Sequence, residues 1–134
     1  MMQVIVCVDD HGGMMFNKRR QSRDRVLCEY VMKLSEGHQV YMSAYSAKLF
    51  SEDDRIVVSE NYLEEASEED FCFVEKESLK AYEDQIKKLI IFKWNRVYPA
   101  DQYLDIDPEK MMKVQEEEFV GFSHEKITME VYEK

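Results

Sequence analysis

The chain has 134 residues, of which 45% are apolar and 34% are charged, a composition typical of a folded globular protein. Its 28 acidic residues outnumber the 18 basic ones, and the net charge of −10 argues against nonspecific nucleic-acid binding, which depends on neutralising phosphates with Lys and Arg. The longest apolar runs, residues 4–8 and 89–92, are far shorter than the roughly 20 residues of a membrane-spanning helix.

The length and the cysteines indicate the class of protein. The chain fits one domain, residues 1–134, with no internal repeat and no linker-like change of composition. Cys7, Cys28 and Cys72 lie in apolar patterns without CxxC spacing, and their odd number argues against a disulfide framework. No basic and apolar signal segment opens the chain. We therefore expect a cytoplasmic protein with reduced thiols and no membrane partner.

The N-terminal half alternates between short apolar runs and helical patterns. The β-branched run 3–8 predicts a buried strand, and the Gly-Gly pair that follows opens a predicted loop over 12–20. Ser22 is a suitable N-cap for a helix whose apolar positions recur up to Gly37. The remaining predictions are strands at 38–43, 55–59 and 71–74, a short helix at 44–50, and a loop or frayed helix at 60–70.

The C-terminal half predicts a helix, a long strand and a hairpin. Residues 78–88 begin with a capping serine and place apolar residues on one face, and 89–98 form a strand that Pro99 ends. Residues 111–122 and 127–132 alternate around a turn at 123–126. These elements indicate an α/β fold with a mostly parallel central sheet, helices on both faces and a C-terminal antiparallel β-hairpin.

The order of the elements and several residues resemble those of the dihydrofolate reductases. The first strand ends at Asp9, a Gly-Met pair follows at 13–14, and Asp24 stands near the start of the first helix, where that family has its proton-relay carboxylate. Residues 88–92, then residues 103–105 and the two hairpin strands, are similar to the last third of the family's chain. The resemblance covers nearly all 134 residues and implies a dihydrofolate reductase-like fold.

Two phosphate-binding segments of that family have no counterpart in the sequence. The reductases hold the phosphates of NADPH with a Gly-Arg-Lys/His-Thr segment and with a Gly-Gly-Gly loop at a helix N-terminus, which supply backbone amides and positive charge. The first place holds Ser-Ala-Tyr-Ser at 43–46, and at the second, residues 78–88 run directly into the next strand. The sequence therefore predicts a shortened, divergent relative without a cofactor, and it argues against NADPH-dependent reduction.

The most unusual local feature is a basic cluster at 18–25, which holds five of the 18 basic residues. It lies where a predicted loop enters a helix N-terminus, whose amides and dipole favour anions. The cluster is consistent with a pocket for a phosphate- or carboxylate-bearing ligand, or with a solvated loop that offsets the negative charge of the protein. Nearby aromatic residues fit either the wall of such a pocket or the core: Phe16, Tyr45, Trp94 and Tyr98.

Asp24 is the candidate acid or base that the resemblance implies. Burial would raise its pKa, the neighbouring arginines would lower it, and a carboxylate in the first turn of a helix is favourable in any case.

No metal site is expected. Asp9, Asp10 and His11 are metal ligands by type, but His38 and His124 are not spaced as ligands beside them. Metal-dependent nucleases such as ribonuclease Z need a clustered His-x-His-x-Asp-His and are set aside. Neither a Gly-x-Ser-x-Gly elbow nor a P-loop is present.

Two functions remain open. The first is a binding protein whose cleft accepts a small anionic or heterocyclic ligand or a partner segment. The predicted cleft residues are Asp9, Met14, Phe16, Arg19, Arg20 and Tyr45. The second is a nucleotide-independent enzyme that uses Asp24 as general acid or base on a small heterocyclic or anionic substrate.

Overall fold

The computed structural model describes residues 2–134, which form two β-sheets and short helices. The strands are β1 Met2–Val8, β2 Gly13–Phe16, β3 Arg19–Arg20, β4 Val40–Met42, β5 Ile56–Val58, β6 Phe71–Phe73, β7 Ile86–Lys93, β8 Gln102–Tyr103, β9 Met112–Phe119 and β10 Ile127–Glu133. The α-helices are α1 Arg25–Leu34, α2 Ala44–Ala47 and α3 Tyr62–Glu65, and Lys80–Gln85 and Pro108–Lys110 are 3₁₀ turns.

The main sheet has seven strands in the order β5-β4-β6-β1-β7-β10-β9. The first five pair in parallel, whereas β10 is antiparallel to both β7 and β9. A smaller antiparallel sheet, β3-β2-β8, lies apart from it. The mostly parallel sheet with an antiparallel C-terminal hairpin confirms the predicted fold class.

The central strand β1 is buried on both faces, because its alternate side chains enter two separate cores. Val4 and Val6 belong to one core with Leu63 of α3, and Ile5 belongs to the other with Leu27 and Val31 of α1. This is why β1 is an uninterrupted apolar run rather than an alternating one. Helices therefore cover both faces of the sheet.

The structure corrects the predicted start of α1. Asp24, and not Ser22, is the N-cap, since its Oδ1 accepts hydrogen bonds from the backbone N–H groups of Val26 at 2.9 Å and Leu27 at 3.3 Å. Asp and Ser cap helices about equally well, so the two candidates could not be separated by residue type. The helix ends three residues before Gly37, whose φ of 87° lies in the left-handed region.

Three other predictions need correction. The predicted loop 12–20 contains β2 and β3. The predicted helix 78–88 is the 3₁₀ turn Lys80–Gln85, because Ile86 already pairs with β1 as the first residue of β7. That strand ends at Lys93 instead of residue 98, and the chain then turns at Asn95, whose φ is 59°.

The cysteines are free thiols. Burial raises the pKa of Cys28 to about 11 and that of Cys72 to about 12, which keeps both protonated at neutral pH. Within residues 2–134, the helices are too short or too polar to cross a bilayer.

Candidate functional site

Asp9, the residue after β1, organises the loop beside it. Its Oδ1 accepts hydrogen bonds from the backbone N–H groups of His11 (2.9 Å) and Gly13 (2.8 Å). Its Oδ2 accepts from Gln21 Nε2 at 3.2 Å and from the backbone N–H of Tyr98 at 3.1 Å. Burial acts to raise the pKa of Asp9, but these hydrogen bonds outweigh it and lower the pKa. The carboxylate is already occupied by neighbouring protein groups.

Asp24 links the start of α1 to the loop between β9 and β10. Besides capping the helix, its carboxylate accepts hydrogen bonds from the backbone N–H groups of Phe122 (2.9 Å) and Ser123 (2.8 Å) and contacts Nδ1 of His124 at 2.8 Å. Asp24 is only 4% exposed. Burial acts to raise its pKa, but the bonds from Phe122, His124 and Ser123 hold the pKa far below the usual aspartate range. An ionised carboxylate at neutral pH favours an orienting role over proton donation.

His124 continues this chain of polar groups from Asp24 towards the surface. Its Nε2 lies 3.0 Å from Oγ of Ser22 and 3.1 Å from the hydroxyl of Tyr98. The ring stacks on Trp94, with ring centroids 4.5 Å apart, and the side chain is almost fully buried. Ser22, which lies at the other end of this series of hydrogen bonds from Asp24, is half-buried. We call Ser22, His124 and Asp24 the hydrogen-bond chain.

Gly121 allows the hairpin loop to come this close to Asp24. A Cβ at this position would lie 2.6 Å from Oδ2 of Asp24 and 2.9 Å from Cδ1 of Ile127, distances that real side chains do not tolerate. Its backbone N–H also closes the loop by donating to the carbonyl of His124 at 2.9 Å. This position therefore requires glycine, because any side chain would overlap its neighbours.

Arg20 and Glu75 form a buried ion pair beside the hydrogen-bond chain. Arg20 donates from Nε to Oε2 of Glu75 at 2.8 Å and from a terminal nitrogen to Oε1 at 3.0 Å, which is a two-point contact. Ser46 Oγ donates to the same carboxylate at 2.7 Å. The guanidinium of Arg20 also lies over the ring of Tyr45, 4.2 Å from its centroid. Because Glu75 already neutralises its charge, Arg20 is not free to bind an anionic ligand.

A small cavity of about 20 Å³ lies between these two polar clusters. Its lining includes Cys7, Met14, Arg20, Ser22, Leu27, Glu75 and Trp94. Burial is the main cause that raises the pKa of the Cys7 thiol, and the Glu75 carboxylate raises it further. Cys7 is therefore a protonated, uncharged lining residue at neutral pH and not a nucleophilic thiolate. The volume is sufficient for about one water molecule or a methyl-sized group.

A much larger groove of about 780 Å³ runs along α1, and we call it the α1 groove. It is bounded by α1, by the segment after α2 and by the hairpin loop. Its lining residues are Arg23, Asp24, Arg25, Cys28, Glu29, Met32, Leu49, Phe50, Ser51, Glu52, Asp53, Phe122 and Ser123. The volume falls in the range of small-molecule sites.

The structure divides the six predicted cleft residues among different places. Phe16, Arg19 and Arg20 share a separate groove of about 530 Å³ with Tyr98. Met14 lines the small cavity, as Arg20 also does, and the hydroxyl of Tyr45 accepts a hydrogen bond of 3.0 Å from the Arg20 backbone N–H. The carboxylate of Asp9 is hydrogen-bonded to protein groups in and around its own loop. A common role in ligand binding stays a prediction for these residues.

Sequence reasoning missed the partners of the predicted residues. His124 lies one hundred residues from Asp24 along the chain, and Glu75 lies 55 residues from Arg20. No spacing rule connects such positions, and only the packing of the hairpin loop on α1 brings His124 to its place. Among residues 2–134, no group of three or more potential ligand residues is arranged to hold a metal ion.

Comparison with known proteins shows the fold. No protein-family profile and no curated protein matches the sequence. Among solved structures, the chain is similar to dihydrofolate reductase from Enterococcus faecalis complexed with NADP(H) and RAB-propyl, with a TM-score of 0.70 and 9% sequence identity over 99% of this chain and 95% of that one. The chain therefore has a dihydrofolate reductase-like fold, as the resemblance implied.

Proposed function

We propose that this protein binds a small ligand in the α1 groove, on a dihydrofolate reductase-like scaffold that has diverged from the reductases and lost their NADPH-binding segments. The observation that carries the proposal is the groove itself, a cavity of drug-like size that joins apolar walls to two arginines. The three surfaces that form it come from distant parts of the sequence.

The lining of the groove suits a flat, partly apolar molecule with one anionic group. Met32, Leu49 and Phe50 supply apolar surface. Arg25 lies over the ring of Phe122 at 4.2 Å, which holds a guanidinium on an aromatic face beside the groove.

The acidic residues of the groove narrow the choice of ligand. Glu29, Glu52 and Asp53 also line it, and Asp53 is bonded to Arg55. Together with Asp24, these residues place four carboxylates beside Arg23 and Arg25, which would repel a polyanion such as a dinucleotide. A ligand with a single negative charge, or with charges of both signs, fits this lining better.

Glu75 supports the proposed loss of the NADPH phosphate sites. In the resemblance, residues 43–46 stand where the reductases hold a phosphate. Here the side chain of Ser43 caps α2 by accepting from the backbone N–H of Ser46, and Ser46 Oγ donates to the Glu75 carboxylate. The Ser46 hydroxyl and the Arg20 guanidinium are both bonded to Glu75, which leaves neither of them free to hold a phosphate group at this turn.

The free thiols support a reducing compartment such as the cytoplasm as the place of action. Cysteines without partners in apolar surroundings are typical of proteins that do not pass through oxidising compartments.

A fluorescence titration with 8-anilinonaphthalene-1-sulfonate, which joins flat rings to one negative charge, tests the groove. We expect saturable binding that Arg25→Glu weakens about 10-fold, the loss of roughly 1.4 kcal/mol typical of a charge-assisted contact. The matched control is Arg19→Glu, a charge reversal of the same type in the separate groove, which should leave the affinity unchanged. Equal affinities of both variants and the unaltered protein would reject the α1 groove as the binding site.

A second titration, with NADPH, tests the proposed loss of the cofactor site. We expect no saturable change of Trp94 fluorescence, and NADPH binding at micromolar concentrations would overturn this part of the proposal.

A further inference from the structure

The hydrogen-bond chain has the geometry of a nucleophile, a base and an orienting acid. Ser22 Oγ lies 3.0 Å from Nε2 of His124, and Nδ1 of the same ring lies 2.8 Å from Oδ2 of Asp24. Both contacts fall in the range of strong hydrogen bonds, and the order of groups is that of the serine hydrolases. Such a constellation is recognised by its geometry and roles, whatever the fold or the order in sequence.

The protonation of the imidazole follows from the partner of each nitrogen. An ionised carboxylate can only accept a hydrogen bond, so Asp24 requires the proton of the neutral ring to be on Nδ1. Nε2 is then the acceptor and faces the Ser22 hydroxyl, which is the arrangement a general base needs. The Tyr98 hydroxyl lies 3.1 Å from Nε2 and 3.4 Å from Ser22 Oγ, and it donates to Ser22 Oγ when Ser22 donates to Nε2.

The surroundings hold the imidazole in this orientation. The ring stacks on Trp94, and the His124 side chain is only 2% exposed. Ser123 Oγ donates to Asp24 Oδ2 at 3.2 Å, which fixes the carboxylate from another side. Buried polar groups that are fully bonded keep one geometry, and a preorganised base avoids the cost of reorientation during a reaction.

We propose that Ser22 is an acyl-accepting nucleophile and that the hydrogen-bond chain catalyses hydrolysis of small carboxylic esters, acetyl esters above all. Ser22 is half-buried and lines the small cavity of about 20 Å³, which limits the acyl group to about the size of an acetyl methyl. This activity goes beyond ligand binding. Asp24 also lines the α1 groove, but neither arginine of that groove belongs to the hydrogen-bond chain.

The reaction balances with water as the only co-substrate. Ser22 Oγ forms a bond to the ester carbonyl carbon as its proton passes to Nε2 of His124, and the C–O bond to the alcohol breaks as that alcohol takes the proton from Nε2. Water then attacks the acetyl-serine and gives one proton to Nε2. The bond between Ser22 Oγ and the acetyl carbon breaks as Oγ takes that proton, and acetic acid leaves and ionises to acetate. Asp24 stays ionised and stabilises the imidazolium formed in each half-reaction.

A burst experiment with p-nitrophenyl acetate tests this assignment on the full chain. We expect a rapid release of p-nitrophenolate equal in amount to the protein, and an acetyl group on Ser22 in peptide mass spectra. Ser22→Ala should abolish the burst, and His124→Gln should slow it about 100-fold, the loss typical of a removed general base. The matched control is Ser67→Ala, an exposed serine whose hydroxyl donates to Asp70 and which lies outside the hydrogen-bond chain, and this variant should keep the burst.

Two further results separate catalysis from a structural role. Adding imidazole to the His124→Ala variant should restore part of the burst, whereas a purely structural histidine would give no such rescue. With p-nitrophenyl butyrate the burst should be slower by at least about 10-fold, because the longer acyl chain does not fit the small cavity. A folded, unaltered protein without acetyl-Ser22, or a Ser22→Ala variant with the same burst, would overturn the proposal, and the ligand titrations of the α1 groove would be unaffected.

Discussion

The carboxylate of Asp24 lies 2.8 Å from Nδ1 of His124, and this contact joins the first helix to the C-terminal hairpin across one hundred residues of sequence. Both side chains are almost completely buried. The same carboxylate caps α1 and accepts two backbone N–H groups of the hairpin loop. One ionised group therefore fixes both the start of α1 and the hairpin loop, and its removal should affect the two segments together.

We expect Asp24→Asn to lower the free energy of unfolding by about 2–3 kcal/mol, as when a buried carboxylate that accepts hydrogen bonds is replaced. Asparagine can still cap the helix, but its amide group would place a donor against the donors of Ser123 and His124. Urea denaturation followed by circular dichroism measures the change. The matched control is Asp10→Asn, an exposed position where we expect a change within about 0.5 kcal/mol. A loss no larger than that of the control would contradict this role.

The same residue predicts a pH dependence of stability. Hydrogen bonds hold the pKa of Asp24 below its unfolded value of about 3.9, so the native state favours the ionised form. The stabilisation is present above that unfolded pKa and is lost as the pH falls through the folded pKa. The unaltered protein should therefore lose stability below about pH 5 more steeply than Asp24→Asn, which has no carboxylate to protonate. Parallel curves of unfolding free energy against pH for the two proteins would refute the expectation.

The sequence predicted the sheet far better than it predicted the site. Strand patterns in β1, β7 and the hairpin are strong because buried runs and alternation come from local residue choice. The candidate Asp24 came from resemblance, but its partner His124 is an isolated histidine in a turn, with no pattern around it. Whether it meets Asp24 is decided by the way the hairpin folds back on α1, which is information that no local window contains.

The basic cluster illustrates the same limit. From sequence, Arg19 and Arg20 were the two arginines of this cluster that we predicted to line a ligand cleft. In the fold, Arg20 is bound by Glu75, whereas Arg23 lines the α1 groove. Residue type predicts where charge accumulates, but only tertiary packing determines which of the charges is neutralised.

Gly121 should tolerate no side chain. We expect Gly121→Ala to lower the free energy of unfolding by about 1–3 kcal/mol, because the new methyl group would overlap Asp24 and Ile127 and force the hairpin loop away from α1. Thermal unfolding measures the loss. The neighbouring Val120 is 73% exposed, so Val120→Ala serves as the control and should be close to neutral. If both variants unfold at the same temperature, the close approach of the loop to Asp24 is not required.

The Arg20–Glu75 pair should respond unequally to the loss of its two members. Arg20→Ala leaves the Glu75 carboxylate, 9% exposed, with Ser46 as a neutral partner, and we expect a loss of about 2–4 kcal/mol. Glu75→Gln keeps an acceptor for Ser46, and the Arg20 side chain, 18% exposed, is nearer to solvent, so we expect a smaller loss of about 1–2 kcal/mol.

Chemical denaturation of the two single variants and the double variant measures the coupling between these residues. Arg19→Ala is the control for removing an exposed arginine from the same short strand. The order of the two losses is the critical result, since a Glu75→Gln variant less stable than Arg20→Ala would mean that the guanidinium, rather than the carboxylate, depends on the pair for its burial.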